Sequence, residues 1–90
     1  MVHMDTTESD RGDAVDRAAG RELRGLRAKR GLSREELAAQ SGISFKTLQR
    51  IEAGERSATM REVDSLCRVL GVTPRAFISA ALAEVEGVSE

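Results

Sequence analysis

The 90-residue chain has one cysteine, one proline, one histidine and two phenylalanines, with no tryptophan or tyrosine. A lone thiol, Cys67, excludes an intramolecular disulfide and any zinc site built from cysteines of this chain. With aromatics this scarce, the core must be assembled from Leu, Val, Ile and Ala. That palette suits small helices better than strands, where aromatic and β-branched residues concentrate. No apolar run approaches the length of a membrane span or of a signal peptide's hydrophobic stretch, so no membrane partner is expected and the expected compartment is the cytoplasm. His3 has no partner nearby in sequence, no nucleophile stands at helical spacing from a base, and no glycine-rich phosphate loop is present. Catalysis therefore finds no support, and neither a cofactor nor a metal ion is expected.

The net charge of −1 hides a segregation. Residues 1–16 hold one arginine against five acids, a net of −4. Residues 17–61 hold eleven Arg and Lys against Glu22, Glu35, Glu36, Glu52 and Glu55, a net of +6. Residues 62–90 hold Arg68 and Arg75 against five acids, a net of −3. Attraction to phosphate follows local charge, so the middle of the chain is the part suited to nucleic acid.

In order along the chain, residues 1–12 are polar, acidic and without periodicity, and read as a disordered acidic arm. A domain over 13–86 and a tail over 87–90 follow. The first helix is expected from between Asp13 and Arg17 (about 15–30), with Val15, Ala18, Ala19, Leu23 and Leu26 on one stripe. Asp13 and Asp16 at its start and Lys29 and Arg30 at its end suit the helix dipole. Gly20 inside it costs about 1 kcal/mol against Ala and implies close packing or a later helix start. Further helices are expected at about 34–40, 45–53, 60–70 and 74–86. Ser33, Ser44, Thr59 and Thr73 cap their starts, Glu36 and Glu62 complete capping boxes, and Pro74 takes the first helical position. Cys67 lies mid-stripe between Leu66 and Leu70, which reads as a buried structural thiol. Five short helices with short connections make a compact all-α domain.

The segment 32–56, LSREELAAQSGISFKTLQRIEAGER, organises the rest. Leu37 and Ala38 face inward on one short helix, Ser41-Gly42 breaks the run, and Leu48 and Ile51 face inward on the next. Two helices joined by a glycine-containing turn form a helix-turn-helix unit, whose second helix can enter the major groove of DNA. At 100° per residue, Leu48 and Ile51 turn Lys46, Gln49 and Arg50 away from the core, with Phe45 and Thr47 at the edges.

These motifs resemble the phage-repressor (Cro/cI-type) helix-turn-helix family. The resemblance runs through Leu26-Arg27, Gly31-Leu32-Ser33, Glu36-Leu37-Ala38, Gly42-Ile43-Ser44, Leu48, Ile51-Glu52, Gly54, Arg56 and Leu70-Gly71-Val72. It covers roughly residues 19–79 in family order and spacing. It implies a compact five-helix repressor-like fold, with Phe45, Lys46 and Arg50 on base edges and Gln49 on the same outward face. Arg50 is suited to bidentate bonds with guanine, and Phe45 to a thymine methyl or else to a core or staple position. Phosphate contacts are expected from helix N-termini and the neighbouring loop, at Arg34, Gln40, Ser44, Thr47, Arg56 and Ser57. A carboxylate on the inward side of the second helix needs a partner. The resemblance supplies Arg27 for Glu52, as a structural ion pair. Two departures stand out: Arg34 where glutamine is usual, and Ala58 where proline is common.

The function expected is sequence-specific binding of double-stranded DNA by a transcriptional regulator, a repressor acting as a homodimer on an inverted repeat. The fifth helix is the expected interface through Ile78, Ala81, Leu82 and Val85, with Phe77 and Leu82 also serving the core. The alternative is an antitoxin or accessory protein whose main partner is another protein, with autoregulatory DNA binding as a second role.

Overall fold

The computed structural model describes residues 3–87, with side chains from residue 10 onward, and contains five α-helices and no strand among them. They are α1 (His3–Lys29), α2 (Arg34–Ser41), α3 (Phe45–Glu52), α4 (Met60–Leu70) and α5 (Pro74–Glu86). The four later helices fall where the caps place them. Ser33 and Thr59 each accept a hydrogen bond from the backbone N–H three residues on, while Glu36 and Glu62 accept one back from the capping residue's N–H. Both capping boxes are closed. Thr73 caps α5 with Pro74 directly behind it. Gly42 ends α2 at φ 77°, a left-handed turn that an L side chain resists, and the chain reverses there into α3.

α1 corrects the expected start. It is helical from His3, so residues 3–12, read from sequence as a disordered arm, form its first turns. Met1 and Val2 lie outside the described residues, as do residues 88–90 of the expected tail; Gly87 caps α5. The physical reason is that apolar periodicity reports burial, not helicity. Once α1 is nucleated by its packed half, each further residue adds a hydrogen bond without a new nucleus. No proline intervenes, and acids cluster near the positive pole of the helix. Arg11, in this outer part, donates to Glu86 at the far end of α5 across 3.4 Å. That pair is exposed and contributes little by itself.

The core is small and aliphatic. Leu23, Leu37, Leu48, Ile51, Leu66, Leu70 and Cys67 are buried together with Phe77, and Leu26, Ile43 and Val63 pack against them. α1 lies against α5 and α3, and α2 against α3 and α4. The chain turns through 106° between α4 and α5, and no single helix among the described residues is long and apolar enough to cross a membrane. Cys67 is a buried thiol whose pKa burial pushes up, as its place in the stripe implied. Gly20 resolves in favour of close packing: a Cβ there would stand 2.5 Å from the carbonyl oxygen of Glu52. α1 and the end of α3 approach backbone to backbone at that point, which brings the helix expected to read DNA against the longest helix of the molecule.

Candidate nucleic-acid interface

α3 is held from behind. Leu48 and Ile51 are buried, and Glu52 beside them is only 1% exposed. A carboxylate so placed must be paired, because an isolated buried charge is costly. Arg27 supplies two bonds, Nε to Oε2 at 2.9 Å and Nη2 to Oε1 at 2.9 Å, and also donates to the Leu32 carbonyl at 3.2 Å. The ion pair expected from the family resemblance is therefore present, and bidentate. Its Glu52 hydrogen bonds raise the Arg27 pKa above the ordinary arginine value. Two further arginines join it. Arg34 donates from Nε to Oε1 at 3.0 Å, and Arg24 donates to the Glu52 carbonyl at 2.6 Å. The second of these satisfies a carbonyl that the end of a helix leaves open. Three guanidiniums, from α1 and α2, thus grip the last residue of α3.

The opposite face of α3 is idle. Lys46, Gln49 and Arg50 are exposed, and their side chains make no hydrogen bond or ion pair to any described residue. Phe45 is 39% exposed and lies outside the core cluster, so of its two expected roles the core one falls away. Ser44 accepts a bond from the Thr47 N–H at 3.1 Å and so acts as the helix cap. Thr47 is half-buried and Gln40 exposed. The three other expected phosphate contacts already have partners within the chain. Arg34 is on Glu52, Arg56 makes two bonds to Glu62 at 2.9 and 3.1 Å, and Ser57 donates to Asp16 at 2.8 Å. Arg56 and a Thr59 N–H hold the Glu62 carboxyl below the usual carboxylate range.

A cation that sequence reasoning passed over stands near this face. Arg61, in the first turn of α4, is exposed and has no partner among the described residues. It lines a shallow polar concavity with Ser44 and Thr47 of the α3 N-terminus and with Ser41 and Gly42 of the turn. The signal was available, since Arg61 closes the basic stretch and follows a capping threonine by two positions. Helix starts collect anion contacts.

On α5, Ile78 is 46% exposed and Leu82 and Val85 are half-buried, but Ala81 is buried. Ala81 is a correction: it completes the core instead of offering free surface, because α5 rests on α1 along that line. An apolar cleft opens between α1, α4 and α5, with Val15, Ala19, Val63, Phe77 and Ile78 on its walls and the 90% exposed Met60 at its rim.

The comparisons with known proteins agree with this geometry. A family model described as a helix-turn-helix domain matches residues 18–77. No curated protein matches the chain. Among solved structures, the chain is similar to the clp gene regulator ClgR from Corynebacterium glutamicum. The two share 28% identity at a TM-score of 0.75, over 80% of this chain and 77% of that one. It is also similar to the restriction-modification controller protein C.AhdI from Aeromonas hydrophila. Here identity is 32% and the TM-score 0.67, over 69% of this chain and 94% of that one.

Proposed function

The chain belongs to the helix-turn-helix domain family, and on that premise we propose that it regulates transcription by binding double-stranded DNA in a sequence-specific manner. α3 enters the major groove with Lys46, Gln49 and Arg50 toward base edges and Phe45 toward a thymine methyl or sugar. The observation that carries this reading is the state of α3. Its inner face is fixed by a buried, multiply bonded carboxylate, while its outer cations have no partner among the described residues. Rigid placement of unpartnered donors is what base reading requires. The structural relatives are regulators of gene expression or controllers of restriction-modification, which supports the same role.

Phosphate contacts come from Gln40, Ser44, Thr47 and Arg61, around the turn and the two neighbouring helix starts. The protein acts as a binding protein in the cytoplasm, without catalysis or cofactor, and represses by occupying its site. It binds as a homodimer on an inverted repeat. A single domain of this size has few contacts to offer one half-site, and two copies spaced by ~34–36 Å reach successive major-groove turns on one face. The second copy covers the apolar cleft, with Ile78, Leu82, Val85 and Met60 at the contact.

The test is selection of sites from random duplex DNA with the purified chain, with its solution mass measured in parallel. An enriched inverted repeat with half-sites about one helical turn apart, from a particle of twice the chain mass, supports the reading. Failure to enrich any sequence, with weak binding that vanishes as salt rises, overturns it. Binding to a partner protein would then be the function to pursue.

A further inference from the structure

Two guanidiniums meet one carboxylate at Glu52, and they are not equivalent. Arg27 alone gives each oxygen a donor, Nε to Oε2 and Nη2 to Oε1, and its third group is fixed on the Leu32 carbonyl. Arg34 adds only a second bond to Oε1, through Nε, and its two outer nitrogens have no partner among the described residues. Its side chain is 33% exposed, against 17% for Arg27. Glu52 would therefore keep both oxygens satisfied if Arg34 left. The cluster also carries one positive charge more than its single carboxylate balances.

Arg34 stands at the first position of α2 and is the only cation on that helix. In a helix-turn-helix docked on DNA, the first helix of the pair crosses the sugar-phosphate backbone. A phosphate there offers what Arg34 lacks among the described residues, a second anion for a planar donor fork.

We propose that Arg34 is a shared cation, bonded to Glu52 in the free protein and transferred to a DNA phosphate on binding, while Arg27 retains Glu52. The exchange rests on the DNA-binding reading above. It makes Arg34 a cation that the fold holds on Glu52 without depending on it, until DNA takes over its charge. At this position a glutamine could hold a phosphate only by a neutral bond, and could not offer the charge for exchange.

The test compares the unsubstituted chain with Arg34→Gln and Arg34→Lys. Affinity for the duplex enriched by selection is measured over a range of salt, and thermal unfolding of each free protein is followed. Loss of one phosphate contact lowers the slope of log K against log salt by about 0.9. Arg34→Gln should therefore show its largest defect at low salt, with the affinity ratio to the unsubstituted chain shrinking roughly threefold between 50 and 200 mM. Arg34→Lys should restore the slope, since a point charge still meets phosphate. The unfolding temperature should change little, because Arg27 keeps both oxygens of Glu52 occupied. An unchanged salt slope in Arg34→Gln would overturn the exchange and leave Arg34 as a prop for Glu52. Failure of the DNA-binding reading shows elsewhere, as an unsubstituted chain that prefers no duplex, and it removes the exchange as well.

Discussion

On the inner side of α3, Glu52 receives bonds from Arg27 and Arg34 and is all but fully buried, whereas on the outer side Lys46 and Arg50 are exposed without a described partner. The two sides lie within one eight-residue helix and use the same kind of cation. What separates them is whether an acid faces the arginine. Eight of the twelve arginines have a partner among the described residues, on acids or on helix-end carbonyls. Arg50 and Arg61, near the start of α4, are among the rest. A count of basic residues therefore overstates the surface available to phosphate, and the pairing decides which cations hold the fold and which wait for a ligand.

The contrast can be broken from the inside first. Glu52→Gln leaves Arg27 and Arg34 against a neutral group in a buried place, at an expected loss of about 3–5 kcal/mol in urea unfolding. The double replacement of Glu52 and Arg27 by apolar residues of similar size should cost less than Glu52→Gln alone, since the better-buried guanidinium leaves with its partner and the more exposed Arg34 can turn to solvent. Additive losses would show that the pair is not energetically coupled. Leu48→Ala comes next, at ~2–5 kcal/mol from a fully buried site, enough to unfold a domain with so small a core. From the outside the signature reverses. Arg50→Ala should reduce discrimination between duplexes by about 1–3 kcal/mol in competition binding while unfolding stays within ~0.5 kcal/mol of the parent. If sequence preference survives that replacement, bases are read by a face other than the outer side of α3.

The helix ends were legible in the sequence because they rest on local chemistry. A capping box needs only Ser33 with Glu36, or Thr59 with Glu62, and both closed as expected. The Arg27–Glu52 pair was legible through the family resemblance, and the outward face of α3 through helical geometry alone. What escaped was non-local. Nothing in the spacing says that Arg34 shares Glu52 across 18 positions, or that Ser57 meets Asp16 across 41. Ala81 was misplaced because an alanine satisfies an apolar stripe whether it faces a core or a partner. The early start of α1 escaped for the opposite reason: a solvated helix carries no periodic apolar signal to read.

The smallest expected effect concerns Arg56 and Glu62, where an arginine expected on DNA is held by an acid instead. Glu62 accepts two bonds from Arg56 and one from the Thr59 N–H at 2.9 Å. These favour its ionised form in the folded state, with the Arg56 bonds the larger cause, so the carboxyl is more acidic folded than unfolded. The stability it contributes is then fully present above the unfolded carboxylate pKa of about 4.3, and is lost as pH falls through the lower, folded value. The gap in unfolding temperature between the parent and Glu62→Gln should stay level from neutral pH down to about 5 and close below about 4. A gap that persists in acid would assign the effect to the cap alone. The same variant bears on the difference between paired and unpaired cations around α3. With Glu62 neutral, Arg56 loses its acid and keeps the Ser57 carbonyl, and the salt dependence of DNA binding should steepen by up to about 0.9 in slope. An unaltered slope would mean that the loop holding Arg56 lies out of reach of the backbone, whatever acid faces it.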